Sequence, residues 1–204
     1  MRANNSAGFG ELLAAALKGI CELSAGQLAA LEAHYRLLER WNARMNLTAV
    51  RSMEEAVVRH YAESLFLAHV LQGLGPAQGR VLDLGSGAGF PGIPVAVLLS
   101  DWPVTLVEAN QRKAAFLRES TRELANIEVF ATRVEAVVGH WDWVISRAVR
   151  PDEVVAAARR LGQSVALLVS DEQAPVDGWI SWREPIPLPW SEHSRVLLGV
   201  PRGT

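Results

Sequence analysis

The sequence predicts an α/β fold, a mainly parallel sheet with flanking helices, preceded by an N-terminal helical extension. Three observations predict it. Residues 1–75 place apolar residues at helical spacing, whereas from residue 76 onward short apolar runs alternate with helical stretches. Strands separated by helices imply βαβ units with right-handed crossovers. A length of 204 residues, half of them apolar, suits one ordinary domain plus an appendage.

The elements follow in order. Phe9, Leu12, Leu13, Ala16, Leu17 and Ile20 form one apolar helical stripe. Ser24 with Gln27 three residues later makes a capping box, opening a second helix through Leu28, Leu31, Tyr35, Leu38, Trp41 and Met45. Asn46-Leu47-Thr48 breaks that pattern, and Asn46 suits a helix end. Ser52 with Glu55 starts a third helix running to about Leu71. Gly73, Gly75 and Pro76 then punctuate the chain, so the boundary is expected between residues 75 and 76. Strands are expected at Val81–Leu84, Val104–Val107, Ile127–Ala131, Trp143–Ser146 and Val165–Val169, with helices at Ile93–Leu99, Arg112–Leu124 and Asp152–Leu161. Trp179–Trp182 and Val196–Val200 read as two further strands around the proline-rich Glu184–Trp190.

The stretch Asp83-Leu84-Gly85-Ser86-Gly87-Ala88-Gly89-Phe90-Pro91-Gly92 joins the first strand to its helix. That places it at the carboxyl end of the sheet, where α/β folds bind ligands. Glu108 ends the second strand and suits the ribose hydroxyls of a nucleoside. Gly87-x-Gly89-x-x-Gly92 formally fits a dinucleotide, so a nicotinamide oxidoreductase is an alternative. Pro91 inside the last spacing and bulky Phe90 argue against a pyrophosphate. Asp83 before the glycines opposes a pyrophosphate too, but suits a sulfonium and an amino group. An aromatic face such as Phe90 also attracts cations. S-adenosylmethionine is the favoured ligand.

Composition narrows the classes. Cys21 is the sole cysteine, excluding a disulfide framework and a thiolate zinc cluster, and no metal is expected. No apolar run approaches the roughly 20 residues of a membrane span, and the N-terminus lacks a secretion pattern. A soluble, cytoplasmic monomer is expected. Twenty basic against 22 acidic residues leave a net charge of −2. A nucleic-acid partner would therefore need clustered cations. Arg36, Arg40 and Arg44 recur every four residues, but Glu32 and Glu39 lie among them, so a phosphate track and a salt-bridged solvated face both fit.

At this point a family resemblance emerges. Trp41-Asn42-x-x-x-Asn46-Leu47-Thr48, Arg59-His60-x-x-x-Ser64-Leu65, the glycine loop with its Phe90-Pro91-Gly92, Arg133-Val134-Glu135 and Ile145-Ser146-Arg147-Ala148 carry it, from about Tyr35 to Pro151. The sequence resembles the glucose-inhibited division protein B family, the small-subunit (16S) rRNA guanine-N7 methyltransferases G. The resemblance implies a Rossmann-like S-adenosylmethionine-dependent methyltransferase fold with a seven-stranded sheet, acting on 16S rRNA or the small ribosomal subunit. It implies that Gly85, Phe90, Glu108, Ala109, Asn110, Val134, Glu135 and Arg147 meet the methyl donor, in addition to Asp83 and Gly87 from the loop reading. Arg112, Lys113 and Arg133 match positions that touch rRNA.

The chain departs from that family at three places. Glu63 stands for an Asp, Leu167-Leu168-Val169-Ser170 lacks the usual lysine, and Leu198-Gly199-Val200 lacks another. A methyltransferase for a small molecule or protein, and an inactive donor-binding ribosome-associated module, are the alternatives. Guanine N7 carries a lone pair and no proton, so no base is required, and alignment carries the rate. His60 and Arg147 are the candidate catalytic side chains. For His60 the competing reading is a structural bond to Glu63 or Asn46.

Overall fold

The computed structural model describes residues 7–74, 79–161, 164–170 and 173–203. The boundary expected at residues 75 and 76 lies outside the described residues.

The N-terminal half is helical: α1 (Phe9–Ala16), α2 (Ala25–Met45), α3 (Met53–Ala56) and α4 (Glu63–Leu74). The first helix stops short of the stripe that predicted it, and Ile20 instead closes a turn by donating to the Leu17 carbonyl. At the start of α2, Ser24 and Gln27 make the reciprocal capping box. Asn46, at φ 50°, caps its end. At α3 the capping is one-sided: Ser52 accepts from the Glu55 amide, but the Glu55 carboxylate turns to Arg59. Between α3 and α4, Val57–Ala62 forms a π-helical turn where a plain helix was expected. Such turns recur at functional sites, and here His60, Tyr61 and Ala62 are all buried in succession.

The second half builds one sheet from β1 (Val81–Leu84), β2 (Val104–Val107), β3 (Ile127–Phe130), β4 (Trp143–Arg147), β5 (Ser164–Ser170), β6 (Ile180–Trp182), β7 (Ile186–Pro187) and β8 (Ser194–Pro201). Its order is β3-β2-β1-β4-β5-β8-β6, with β7 also on β8. The first five strands in that order are parallel, and β8 joins β5 antiparallel. The sheet has eight strands rather than seven because β6 and β7 pair in succession along the same edge of β8. Proline is tolerated in β7 because that strand lies at an edge. Helices α5 (Gly92–Leu98), α6 (Gln111–Ser120) and α7 (Pro151–Leu161) supply the crossovers.

Two apolar layers cover the sheet. Alternation along β1 sends Val81 to one and Leu82 and Leu84 to the other. The first layer joins Phe9, Leu13, Leu31 and Leu65 of the N-terminal helices with Ile93, Leu106 and Ile145. The second packs α7, through Val154 and Ala158, on Leu82 and Val144. Burying each Leu or Ile side chain contributes about 1.5–3 kcal/mol, so the N-terminal helices are held to the sheet by several such contacts. Among the described residues no helix is long and apolar enough to cross a membrane.

Candidate active site

A cleft of about 330 Å3 opens at the carboxyl ends of β1 and β2. Gly85, Glu108, Ala109, Arg133, Val134 and Glu135 line it, with Leu84, Val107, Val149 and Val154 as apolar walls. That volume falls within the roughly 300–1,000 Å3 of small-molecule sites. Gly85 holds φ +70°, and a Cβ there would stand 2.7 Å from Val149 Cγ2. Glycine at this position both relieves backbone strain and keeps the floor of the cleft clear.

Glu108 is buried, and its carboxylate ties the site together. Oε2 accepts from the Gly87 amide at 3.0 Å and Oε1 from the Asn110 amide at 2.8 Å. A carboxylate has about four acceptor positions, so two remain for a ligand. Asn110 acts through its side chain on the next helix, accepting from the amides of Arg112 and Lys113 as the N-cap of α6. It does not line the cleft.

The structure separates Asp83 and Phe90 from these residues. Asp83 shares the face of β1 occupied by Val81, opposite Leu84, and is fully buried. Its Oδ2 accepts from the Gly92 amide at 3.1 Å, while Oδ1 has no hydrogen-bond partner. Burial raises its pKa to about 7. A Cβ at Gly92 would meet Leu106 at 2.3 Å and Asp83 Oδ2 at 2.5 Å, so only glycine lets the helix come this close to the carboxylate. Phe90 lies in an aromatic cluster with His34, His60 and Tyr61.

His34 was not visible as a site residue in the sequence. Its Nε2 donates to the Ala88 carbonyl at 3.1 Å, which fixes the tautomer, and Nδ1 accepts from Tyr61 OH at 2.8 Å. The histidine therefore fastens the glycine loop to α2. Complete burial holds its pKa down at about 4, so it stays neutral. The available signal was a polar residue on the apolar stripe between Leu31 and Tyr35.

Arg147 and His60 meet at the end of β4. An Arg147 guanidinium nitrogen donates to His60 Nδ1 at 2.9 Å, and the other terminal nitrogen donates to the Arg59 carbonyl. His60 Nε2 then carries the proton and donates to Thr48 Oγ1 at 2.7 Å. The His60 ring stacks on Phe90 with centroids 4.7 Å apart, and the guanidinium lies 5.4 Å from the same ring. Partners for His60 are thus Thr48 and Arg147, in place of Glu63 or Asn46. Desolvation first, then the Arg147 charge, pushes its pKa down to about 3. Glu63 reaches Arg147 at 3.8 Å and accepts from Ser194 at 3.4 Å. Burial lifts the Glu63 pKa, and Arg147 partly offsets that. Burial likewise lowers the pKa of Arg147, with Glu63 and Asp83 opposing.

The three cations expected to face RNA occupy the same edge of the sheet. Arg112 and Lys113 open α6, the first exposed and the second half-buried, and exposed Arg133 stands at the rim of the cleft.

Sheet order, glycine loop and the acid ending β2 together define the Rossmann-like fold of S-adenosylmethionine-dependent methyltransferases. The structure of magnesium protoporphyrin IX methyltransferase from Synechocystis PCC 6803 with bound S-adenosylmethionine shares it, with TM-score 0.60 at 16% identity over 98% of this chain and 100% of that one. A family model described as GidB, rRNA small subunit methyltransferase G, matches residues 27–168, and the chain belongs to that family. It is 46% identical over 139 residues to the ribosomal RNA small subunit methyltransferase G of Nitrosomonas europaea, a match covering 65% of this chain and 63% of that one. With the protein of the same name from Stenotrophomonas maltophilia it shares 42% over 130 residues, 62% of this chain and 58% of that one. These matches span less than two thirds of either relative's length.

Proposed function

We propose that the protein uses S-adenosylmethionine to methylate N7 of a guanine in small-subunit (16S) rRNA. The observation that carries this reading is Glu108 at the floor of the cleft. It is locked by the Gly87 and Asn110 amides with acceptor capacity to spare, beside Gly85, in a chain of the methyltransferase G family. The residues suit the donor. Glu108 offers acceptors for ribose hydroxyls, Val134 and Val149 offer apolar walls for adenine, and Gly85 leaves backbone accessible. In this reading residues 1–75 form a helical cap and residues 76–204 the methyltransferase domain, and an rRNA substrate places the reaction in the cytoplasm.

When bound, S-adenosylmethionine supplies a methyl carbon activated by a sulfonium. The chain's part is alignment. Glu108 and Gly85 orient, the loop held by His34 and Asp83 keeps its shape, and Arg147 presents a fixed positive charge at the end of β4. No side chain has to take a proton, because guanine N7 has none. His60 in particular is committed at both ring nitrogens. Proximity and orientation are sufficient sources of rate here, and the target base has to leave its stack to be reached.

The test is incubation with labelled S-adenosylmethionine and small ribosomal subunits from cells lacking the endogenous enzyme, followed by nucleoside analysis. Label in N7-methylguanosine supports the reading. Label in another nucleoside, or in a protein, overturns the substrate assignment.

A further inference from the structure

Helices α2 and α6 run antiparallel. Gln27 and Ala30, near the start of α2, share a hollow with Glu123, Leu124 and Asn126 beyond the end of α6. Near the other end, the Trp41 ring meets Phe116 edge-on at 5.7 Å. Residues three or four apart share a helix face, so Arg44 lies one turn past that contact on α2. Arg112 and Lys113 lie one turn before it on α6. All three therefore stand at the same end, toward the carboxyl edge of the sheet, and Arg40 follows one turn below Arg44.

Arg36, Arg40 and Arg44 recur four residues apart along one side of α2 but differ in their partners. Arg36 is bound to Glu32 at 2.6 Å, and Glu39 accepts from Tyr35 OH at 2.9 Å. The side chains of Arg40 and Arg44 are exposed and make no hydrogen bond or ion pair among the described residues. With a net charge of −2, attraction for a polyanion has to come from such a local cluster. Guanidinium groups suit phosphate oxygens.

We infer that Arg40 and Arg44 extend the surface that starts at Arg112 and Lys113 and grip the phosphodiester backbone of the RNA substrate. This rests on the rRNA reading above. The two arginines neutralise phosphates and steer the strand toward the cleft without reading bases. Arg36, tied to Glu32, takes no part.

The test measures affinity for a small-subunit rRNA transcript against NaCl concentration, for the wild type, the Arg40→Ala/Arg44→Ala double variant and Arg36→Ala. Affinity for S-adenosylmethionine is measured in parallel. The double variant should show a log–log salt slope shallower by about 1.4, with donor affinity unchanged, and Arg36→Ala should keep the wild-type slope. A double variant with the wild-type slope overturns the inference, as does an Arg36→Ala slope reduced as much. A wild type that binds donor but no rRNA overturns the rRNA reading and this surface with it.

Discussion

His60 Nδ1 lies 2.9 Å from a guanidinium nitrogen of Arg147, and that contact makes the histidine an acceptor. Its other nitrogen must then donate to Thr48 Oγ1, which also accepts from the Val50 amide. Thr48, His60 and Arg147 thus form a chain from the end of α2 to the end of β4. His60 thereby fixes one guanidinium nitrogen of Arg147 in place.

Thr48→Val keeps the shape of the side chain and removes the acceptor. Two donors, His60 Nε2–H and the Val50 amide, lose their partner, which costs about 1–3 kcal/mol each when buried. Urea unfolding should show a loss of that order, reduced because the site is half-buried. An unchanged midpoint would contradict the chain of bonds.

Acid lability should have a defined form. His34 and His60 have pKa values near 4 and 3 when folded, against 6.5 unfolded, so the unfolded chain binds more protons below pH 6.5. Their stabilisation is present above that pH and lost as pH falls toward 4, at roughly 1.4 kcal/mol per pH unit for each. Asp83 acts oppositely, because its folded value near 7 exceeds the unfolded 3.8 and the native state holds the proton. Glu63, also raised, acts in the same sense as Asp83. Asp83→Asn therefore removes an opposing contribution, and stability should fall more steeply between pH 6.5 and 4 than in the wild type. Parallel profiles in denaturant titrations would contradict the assignment.

Arg112→Glu with Lys113→Glu should weaken rRNA association while sparing the donor. The Asn110 cap uses the backbone amides of both positions and survives the change. Acidic residues in a first helical turn are favourable, so lost binding would not reflect a lost helix. Filter binding across a salt series should show a slope shallower by about 0.7 or more per cation removed. An unchanged slope would remove α6 from the interface.

Much of this arrangement was legible in the residues. Short, mostly apolar runs placed β1 at Val81–Leu84 and β2 at Val104–Val107 at their observed bounds, because parallel strands buried on both faces read as near-continuous apolar stretches, each interrupted here by one polar residue, Asp83 and Thr105. Of the cleft residues, Gly85 and Glu108 were nameable because they directly follow β1 and β2, whereas Val134 and Glu135, beyond the end of β3, were named only through the family resemblance. Alternation along β1 puts Asp83 and Leu84 on opposite faces, but it cannot say which face carries the cleft. The π-helical turn at Val57–Ala62 leaves no mark in a 3.6-residue period. Nor does sequence spacing show that Thr48 and Arg147, 99 positions apart, share one histidine.

The cleft at Gly85 is the centre of the account, and calorimetry with S-adenosylmethionine tests it most directly. The wild type should bind one equivalent. Gly85→Asp, whose side chain would enter the cleft beside Val149, should bind none while keeping its circular dichroism spectrum. Wild-type affinity in the folded variant would place the donor elsewhere and contradict the site.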